Sequence, residues 1–166
     1  MDILVISDTH GRSAPVLEAT ERVHPDLIFF LGDGLRDLAV LPDDSILRAV
    51  RGNCDFFAED VPDFRIEEVC GFRFFLTHGH RYGVKNSLEC AVANAAAQNA
   101  DALCYGHTHH RFEKRLAAGT TVGGITLTKP MLLLCPGSLG QPDRGGPSFA
   151  TLTIHKGLLL SGFGEL

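Results

Sequence analysis

The sequence predicts an α/β fold, a four-layer α/β/β/α sandwich in which two mixed β-sheets pack face to face under outer helices. Three observations predict it. Five short apolar runs each stop at a polar cluster, helical patterns lie between them, and the chain after residue 110 is rich in strands. Continuous apolar runs of strand length are typical of strands covered on both faces. We therefore expect two sheets, each covered on its outer face by helices.

The elements follow in chain order. Strands are predicted at 3–6, 27–31, 46–50, 72–77 and 102–105, and later at 112–116, 120–128, 131–135, 149–155 and 158–160. A helix is predicted over 13–23, with Ser13 as N-cap and Pro15 in its first turn, and a second over 86–99, with Asn86 and Glu89 at capping-box spacing. Segments 64–69 and 72–76 predict a β-hairpin around Cys70-Gly71. The Gly- and Thr-rich stretch 119–129 predicts an extended hairpin that could reach across a site or a subunit boundary.

The length of the chain predicts one domain. It has 166 residues and a mass of 18.0 kDa, so we expect residues 1–166 to fold as a single unit. A chain of this size buries about two-thirds of its unfolded surface. The fold therefore needs no metal for its stability, and any bound metal serves chemistry.

Composition restricts the partners and the compartment. The net charge is −5 and there is no basic tract, which excludes an extended nucleic-acid surface. The five cysteines contain no CxxC motif and predict no disulfide framework, so we interpret the four other than Cys54 as buried small apolar residues in a reducing cytosol. No signal peptide or membrane span is predicted, since no basic region precedes the first apolar run and no apolar stretch reaches about 18 residues. We expect a cytoplasmic protein without membrane contact.

Donor side chains follow five of the predicted strands. They are Asp8 and His10, Asp33, Asn53, His78, and His107 with His109. Loops at the carboxyl ends of strands in α/β sheets converge, so these side chains are expected to lie together. Carboxylate, amide and imidazole donors suit hard or borderline divalent cations.

Local features of these motifs sharpen the expectation. The i, i+2 spacing of Asp8 with His10, and of His107 with His109, lets each pair point the same way on an extended chain and close on one ion. A glycine before Asp33, Asn53 and His107 is expected to let the backbone bend and turn the side chain inward. Each motif alone is weak, because Gly-Asp or Asp-x-His is usually a loop feature. The prediction depends on five such motifs in succession, each after an apolar strand.

The complete series resembles a known family. Asp8-x-His10, Gly32-Asp33, Gly52-Asn53, His78-Gly79-His80 and Gly106-His107-Thr108-His109 are similar to the calcineurin-like metallophosphoesterase superfamily. Within it, the Ser-Asp-Thr-His-Gly, Arg-Gly-Asn-Cys-Asp, Thr-His-Gly-His and Gly-His-Thr-His segments resemble the small phosphodiesterases of the YfcE type. The resemblance covers residue 1 to about residue 140.

This resemblance implies a binuclear centre, usually with two Mn²⁺ ions; Ni²⁺, Fe²⁺, Zn²⁺ or Mg²⁺ are the alternatives. One ion would be held by Asp8, His10, Asp33 and His109, and the other by Asp33, Asn53, His78 and His107, so that Asp33 bridges. The implied activity is hydrolysis of a small phosphodiester by attack of a metal-bridging hydroxide. Two divalent ions, two carboxylates and that hydroxide leave a net charge of about +1, which attracts one phosphodiester anion.

Three further residues bear on catalysis. Cys54 stands where many superfamily members have a histidine near the leaving group, and a thiol with a pKa of about 8.5 is a poorer general acid. Asp55 is interpreted as a turn cap. His80 either faces the substrate or has a structural role. The candidate catalytic residues are Asp33, Asn53, Cys54, His78 and His80.

Alternatives from other classes are weaker. The retromer subunit of this fold lacks part of the ligand set and works as a protein-binding scaffold, whereas all seven ligand side chains are present here. Gly137-Ser138 lacks the Gly-x-Ser-x-Gly elbow of a serine hydrolase. A Cys54 nucleophile would need a base from histidines better used as ligands. The physiological substrate stays open, since most aromatic residues fall in predicted core strands. Apolar late strands predict a homo-oligomer.

Overall fold

The computed structural model describes residues 1–42 and 45–166. The helices are α1 Ala14–Val23 and α2 Glu89–Ala97. The strands are β1 Asp2–Ile6, β2 Leu27–Phe30, β3 Leu47–Ala49, β4 Phe64–Val69, β5 Phe72–Thr77, β6 Ala102–Tyr105, β7 Arg111–Leu116, β8 Thr121–Val122, β9 Ile125–Thr126, β10 Met131–Pro136, β11 Ser148–His155 and β12 Leu158–Glu165. Two 3₁₀ turns span Leu35–Val40 and His80–Tyr82.

The main strands form two mixed five-stranded sheets. The first has the order β12-β11-β1-β2-β3, with β1, β2 and β3 parallel and the other two pairings antiparallel. The second has the order β4-β5-β6-β10-β7, with β5, β6 and β10 parallel between antiparallel edges. The predicted mixed sheets are confirmed.

Alternation along the strands explains the layers. Val5 and Phe29 of the first sheet pack against Phe74 of the second, and the Phe29 and Phe74 rings meet edge to face at 5.3 Å. On the opposite face of β1, Leu4 packs under α1, while Phe75 of β5 packs under α2. Strands β1 and β2 are therefore buried and apolar on both faces, which explains their continuous apolar runs. The predicted α/β/β/α order is confirmed.

The predicted hairpin is confirmed at β4 and β5. Its loop residues Cys70 and Gly71 have φ of 49° and 84°. Two left-handed residues in a two-residue loop match the right-handed twist of a strand pair.

Ser13 occupies the predicted N-cap position of α1 but does not cap the helix with its side chain, and the predicted N-cap at Asn86 is wrong. Ser13 directly precedes α1 but has helical φ and ψ, and its side chain makes no capping hydrogen bond. Pro15 at the second helical position has no N–H, and the Val16 N–H at the third position donates to the Ser13 carbonyl at 3.0 Å instead of to its side chain. Asn86 lies in a turn, where its N–H donates to the Gly83 carbonyl at 2.9 Å, and α2 begins only at Glu89.

The late segments and the cysteines need smaller corrections. The predicted extended hairpin shrinks to β8 and β9, two residues each, and the Leu127 that follows packs in the core beneath α2 of the same chain. Cys104 and Cys135 are buried as expected, but Cys70 and Cys90 are exposed.

Self-association of the chain stays a prediction. In the described part of the chain, no helix is both long enough and apolar enough to cross a membrane.

Candidate metal centre

The predicted donor residues meet where the two sheets come together at the carboxyl ends of their parallel strands. Asp8, His10, Asp33 and Asn53 follow strands of the first sheet, whereas His78, His107 and His109 follow strands of the second. Backbone hydrogen bonds join the loops, from Asp8 N to Gly32 O at 2.9 Å and from Gly106 N to His78 O at 3.1 Å. The packing of the two sheets therefore builds the site.

Three donors form the Asp8 triad, which is Asp8, His10 and His109. Asp8 Oδ1 lies 3.1 Å from His109 Nε2 and 3.7 Å from His10 Nε2. The other carboxylate oxygen accepts hydrogen bonds from Ser7 Oγ at 2.5 Å and from the His107 N–H at 3.0 Å. Asp8 is fully buried, yet its Oδ1 has no hydrogen-bond partner among the described residues.

Three more donors form the Asp33 triad, which is Asp33, His78 and His107. Asp33 Oδ2 lies 3.3 Å from His78 Nε2, and His78 Nε2 lies 3.2 Å from His107 Nδ1. Asn53 adds its Oδ1 at 3.1 Å from His78 Nε2. Asp33 Oδ2 is also 3.9 Å from His10 Nε2 of the Asp8 triad. One carboxylate oxygen thus faces both triads.

Backbone carbonyls fix the orientation of the His78 and His109 rings. His78 Nδ1 donates to Leu31 O at 2.7 Å, and His109 Nδ1 donates to Gln141 O at 2.6 Å. Each Nε2 is thereby turned into the site, which is how a backbone carbonyl commonly fixes the tautomer of a metal-binding histidine. Nitrogen atoms also face each other at 3.2 Å between His10 and His109. A divalent cation would satisfy these lone pairs together with the unpartnered Asp8 oxygen, so the residues fit a metal.

The pKa values show the charge of the site. Burial would raise the pKa of Asp33, but the hydrogen bond and charge of His78 outweigh it and lower the pKa to about 2. Burial likewise opposes ionisation of Asp8, yet the neighbouring imidazoles of His10 and His109 hold its pKa below the ordinary value. Burial and the charge of His78 lower the pKa of His107 to about 4. At neutral pH the site therefore offers two carboxylates and a neutral His107.

The backbone at the site is strained. Nine non-glycine residues of the described chain have positive φ, and five are predicted ligands: Asp8, His10, Asp33, His107 and His109. Asp and His tolerate the left-handed region better than most residues, but each such residue still costs about 1–3 kcal/mol. The fold holds these conformations because they aim several side chains from adjacent loops at one point.

The glycines before the ligands act in two different ways. Gly32 has φ of 95°, so it lets the backbone bend as predicted. Gly52 and Gly106 are needed for close approach instead: a Cβ would lie 2.0 Å from Asp33 Oδ1 at Gly52, and 2.1 Å from Ser7 Oγ at Gly106. Neither glycine has a positive φ, so it is the neighbouring loop that requires glycine at these two positions, and the bend stays a prediction there.

The structure places His107 and His109 in different triads, unlike the pairing on one ion that their i, i+2 spacing allowed; the ligand sets implied by the family resemblance separate them as well. Both residues have positive φ, so the chain is not extended there. His107 joins the Asp33 triad and His109 joins the Asp8 triad. Asp8 and His10 do share one triad, although both are left-handed as well.

Asp55 is a more extensive cap than the sequence indicated. Its carboxylate accepts four backbone hydrogen bonds, from Gly52 N and Asp33 N at 2.8 Å, Gly34 N at 2.9 Å and Leu35 N at 3.0 Å. One side chain thus ties the loop after β3 to the loop after β2. These bonds fix the position of the Asp33 loop relative to the Asn53 loop.

Cys54 and His80 border the centre. The Cys54 N–H donates to Asp33 Oδ1 at 2.7 Å, and its exposed thiol accepts from Asn53 Nδ2 at 3.3 Å. Burial and then the hydrogen bond and charge of Asp33 raise the pKa of Cys54 to about 11. The His80 ring lies 5.4 Å from that of His78 and 6.1 Å from that of His107, and its Nδ1 is buried without a partner among the described residues.

Sequence reasoning missed the wall of a cavity beside the centre. The cavity has a volume of about 550 Å³ and reaches His10, Asp33 and Cys54. Its lining also includes Arg36, Phe56 and Phe57, which we call the aromatic wall, and both phenylalanines are highly exposed. The adjacent phenylalanines directly after Cys54-Asp55 were the available signal, but they lie outside the predicted strands.

Comparison with known families agrees with this geometry. The sequence model of the calcineurin-like phosphoesterase superfamily domain matches residues 1–157. The probable metallophosphoesterase YsnB of Bacillus subtilis (strain 168) is 31% identical over 161 residues, which cover 93% of this chain and 85% of YsnB.

Solved structures share the fold. A conserved uncharacterised protein from Streptococcus pneumoniae TIGR4, titled a predicted phosphoesterase, has a TM-score of 0.77 and 29% identity, covering 99% of this chain and 88% of that chain. The phosphoesterase YfcE from E. coli has a TM-score of 0.64 and 25% identity, covering 92% and 88%. Wild-type Vps29 from Entamoeba histolytica, complexed with Zn²⁺, has a TM-score of 0.70 and 23% identity, covering 99% of both, and shows the fold alone. With the family model matched over residues 1–157, the chain belongs to the calcineurin-like phosphoesterase superfamily.

Proposed function

We propose that this family member is a phosphodiesterase with two divalent metal ions, Mn²⁺ first among them. The observation that carries the proposal is the pair of facing triads, one of which contains a buried carboxylate oxygen, Asp8 Oδ1, without a hydrogen-bond partner in the described chain. Such an oxygen is costly to bury unless a cation neutralises it.

The ligand assignment follows the two triads. One ion would be held by the Asp8 triad with Asp33, and the other by the Asp33 triad with Asn53. The position of Asp33 Oδ2, 3.3 Å from His78 Nε2 and 3.9 Å from His10 Nε2, supports its role as the bridge. When bound, two divalent cations supply positive charge for the phosphoryl oxygens and lower the pKa of water.

The chain's own residues prepare this chemistry. Asn53 contributes an amide oxygen without adding negative charge, so the site keeps its attraction for an anion. His78 and His109 hold their Nε2 atoms inward through bonds to backbone carbonyls. Asp55 keeps the Asp33 and Asn53 loops together. His80 packs beside the rings of His78 and His107, and we assign it the role of positioning those rings.

A diester is favoured over a monoester on two grounds. The net charge of about +1 expected for the occupied centre matches the single charge of a phosphodiester. The cavity beside the centre, about 550 Å³, also leaves room for substituents on the phosphorus.

The test is hydrolysis of bis-(p-nitrophenyl) phosphate and p-nitrophenyl phosphate by chelated protein, with and without added Mn²⁺. We expect Mn²⁺-dependent activity with a higher kcat/KM for the diester. The Asp33→Asn variant, which removes the proposed bridging carboxylate, is assayed alongside. Its matched control is Asp26→Asn, because Asp26 lies at the other end of β2 and is exposed. A higher kcat/KM for the monoester, or full activity in chelator, contradicts the proposal.

The alternative function is a protein-binding scaffold resembling the retromer subunit. Its support is the likeness to Vps29, which concerns the fold. The complete donor set of the two triads favours the enzyme. Protein that binds two Mn²⁺ ions and hydrolyses neither ester would favour the scaffold.

A further inference from the structure

Phe56 and Phe57 are the most exposed large apolar side chains of the described chain, at 76% and 83%. Their backbone is fixed, because Asp55 is held by four backbone N–H groups and its own carbonyl accepts from Ala58 N at 3.2 Å. Exposed apolar patches of this kind usually mark a binding surface. The two rings are thus presented to solvent by a turn anchored to the metal centre.

Arg36 supplies a cation on the same wall. Its guanidinium carbon lies 5.2 Å from the centre of the Phe57 ring, within cation–π range. Within residues 1–42 and 45–166 this guanidinium makes no ion pair or hydrogen bond, whereas Arg51, for example, pairs with Asp63 at 2.7 Å. An unpaired guanidinium beside the centre has free N–H donors for the acceptor atoms of a ligand.

The cavity connects this wall to the centre. Its lining includes His10, Asp33 and Cys54 of the centre together with Leu35, Phe56 and Phe57. A volume of about 550 Å³ is in the range of about 300–1,000 Å³ that holds a whole small molecule, far more than a phosphate group occupies. The cavity therefore has room for a substituent of the phosphodiester beside the aromatic wall.

We propose that the wall of Phe56, Phe57 and Arg36 is the binding subsite for a heterocyclic base, so that the substrate is a nucleoside-bearing phosphodiester. A base has flat π faces for the phenylalanines and polar edges for Arg36 and for Gln141, which also lines the cavity. An alkyl chain would leave those polar groups unpaired. The inference rests on the proposed function, since the phosphodiester is placed at the metal centre.

The test uses three substrates with the same leaving group. They are the methyl, phenyl and thymidine-5′ diesters of p-nitrophenyl phosphate, assayed with Mn²⁺. We expect the highest kcat/KM for the thymidine diester. In Phe56→Ala/Phe57→Ala this kcat/KM should fall about tenfold or more, through KM, while that of the methyl diester stays within about twofold. Phe163→Ala removes an exposed ring from β12 and serves as the control.

The outcomes separate the two proposals. An unchanged ratio of thymidine to methyl diester in the double variant overturns the base subsite. If the kcat/KM of the phenyl diester exceeds that of the methyl diester by as much as that of the thymidine diester does, the assignment to nucleosides is overturned.

A second arm needs no catalysis. Binding of adenosine to chelated protein is followed by saturation-transfer NMR, with transfer expected in wild type and Phe163→Ala and lost in the double variant. Equal transfer in the double variant overturns the subsite. Absence of all hydrolysis with Mn²⁺ overturns the phosphodiesterase proposal, and the adenosine result then decides the subsite alone.

Discussion

The two triads differ in what holds their carboxylate. Asp8 is held from the interior by Ser7 Oγ and by the His107 N–H, which comes from the other sheet. Asp33 is held by the Cys54 N–H, and its loop is tied by Asp55 to the segment that carries the aromatic wall. The comparison teaches that both sheets hold the Asp8 carboxylate, whereas the Asp33 carboxylate is held within the first sheet by the loop that also carries the aromatic wall.

The largest effect is expected from replacing either carboxylate with an amide. Asp33→Asn removes a ligand charge and the link between the ions, so we expect loss of at least one ion and a fall in kcat of about 100-fold or more. Asp8→Asn should lose a single ion. Metal content by mass spectrometry and kcat on bis-(p-nitrophenyl) phosphate measure both.

This prediction can fail in two ways. Wild-type turnover by an Asp33→Asn protein holding fewer than two ions contradicts the binuclear centre. Loss of both ions in Asp8→Asn, with only one lost in Asp33→Asn, would reverse the roles of the two carboxylates.

A somewhat smaller effect should distinguish the supports behind the ligands. Asp55→Ala leaves four backbone N–H groups without their acceptor and loosens the Asp33 triad, while Ser7→Ala removes one hydrogen bond from the Asp8 triad. Losses of this kind typically lower metal affinity about 10- to 100-fold. Mn²⁺ titration followed by calorimetry should show one weakened site in each variant. Two sites weakened equally by Ser7→Ala would remove the distinction between the triads.

Metal removal should affect stability only moderately. Because the sheets bury about two-thirds of the unfolded surface, the chelated protein is expected to keep its far-UV circular dichroism spectrum. Mn²⁺ at about a hundredfold excess over Kd should raise Tm by about 5–10 °C, and by less in Asp33→Asn. A random-coil spectrum in chelator would show that the ions also hold the fold.

The smallest effect is expected at Cys54, on the Asp33 side of the centre. With its pKa raised to about 11, the thiol is a weak acid, so Cys54→Ser should change kcat/KM on nitrophenyl diesters less than about twofold. Rates over a series of aryl and alkyl diesters should fall steeply as the leaving-group pKa rises, and Cys54→His should help the alkyl diesters most. A shallow wild-type dependence that steepens in Cys54→Ser would show that the thiol acts as the acid.

The sequence was sufficient for the layers and for the gathering of the donors. Both follow from local pattern: β1 and β2 are apolar on both faces, and Asp8 and Asp33 stand directly beyond them. Strand direction then brings the loops to one edge.

What could not be predicted depends on distant neighbours. Gly106 is required by Ser7, 99 residues away, and His107 and His109 separate because both are left-handed. The exposure of Phe56 and Phe57 follows from the Asp55 anchor, because an apolar pair in a loop otherwise favours burial. The Ser13 side chain does not cap α1, because Pro15 has no N–H and the Val16 N–H donates to the Ser13 carbonyl instead; the sequence showed only the first of these two reasons.

The hydrogen bond from His107 N to Asp8 also has a kinetic consequence. It joins residues 99 positions apart on separate sheets, so the centre can be completed only after both sheets have formed and packed. Contacts that form after the transition state mainly affect the unfolding rate. Bound Mn²⁺ should therefore slow unfolding in stopped-flow urea jumps and leave the folding rate nearly unchanged. The ions would then stabilise the folded sandwich kinetically without guiding its formation.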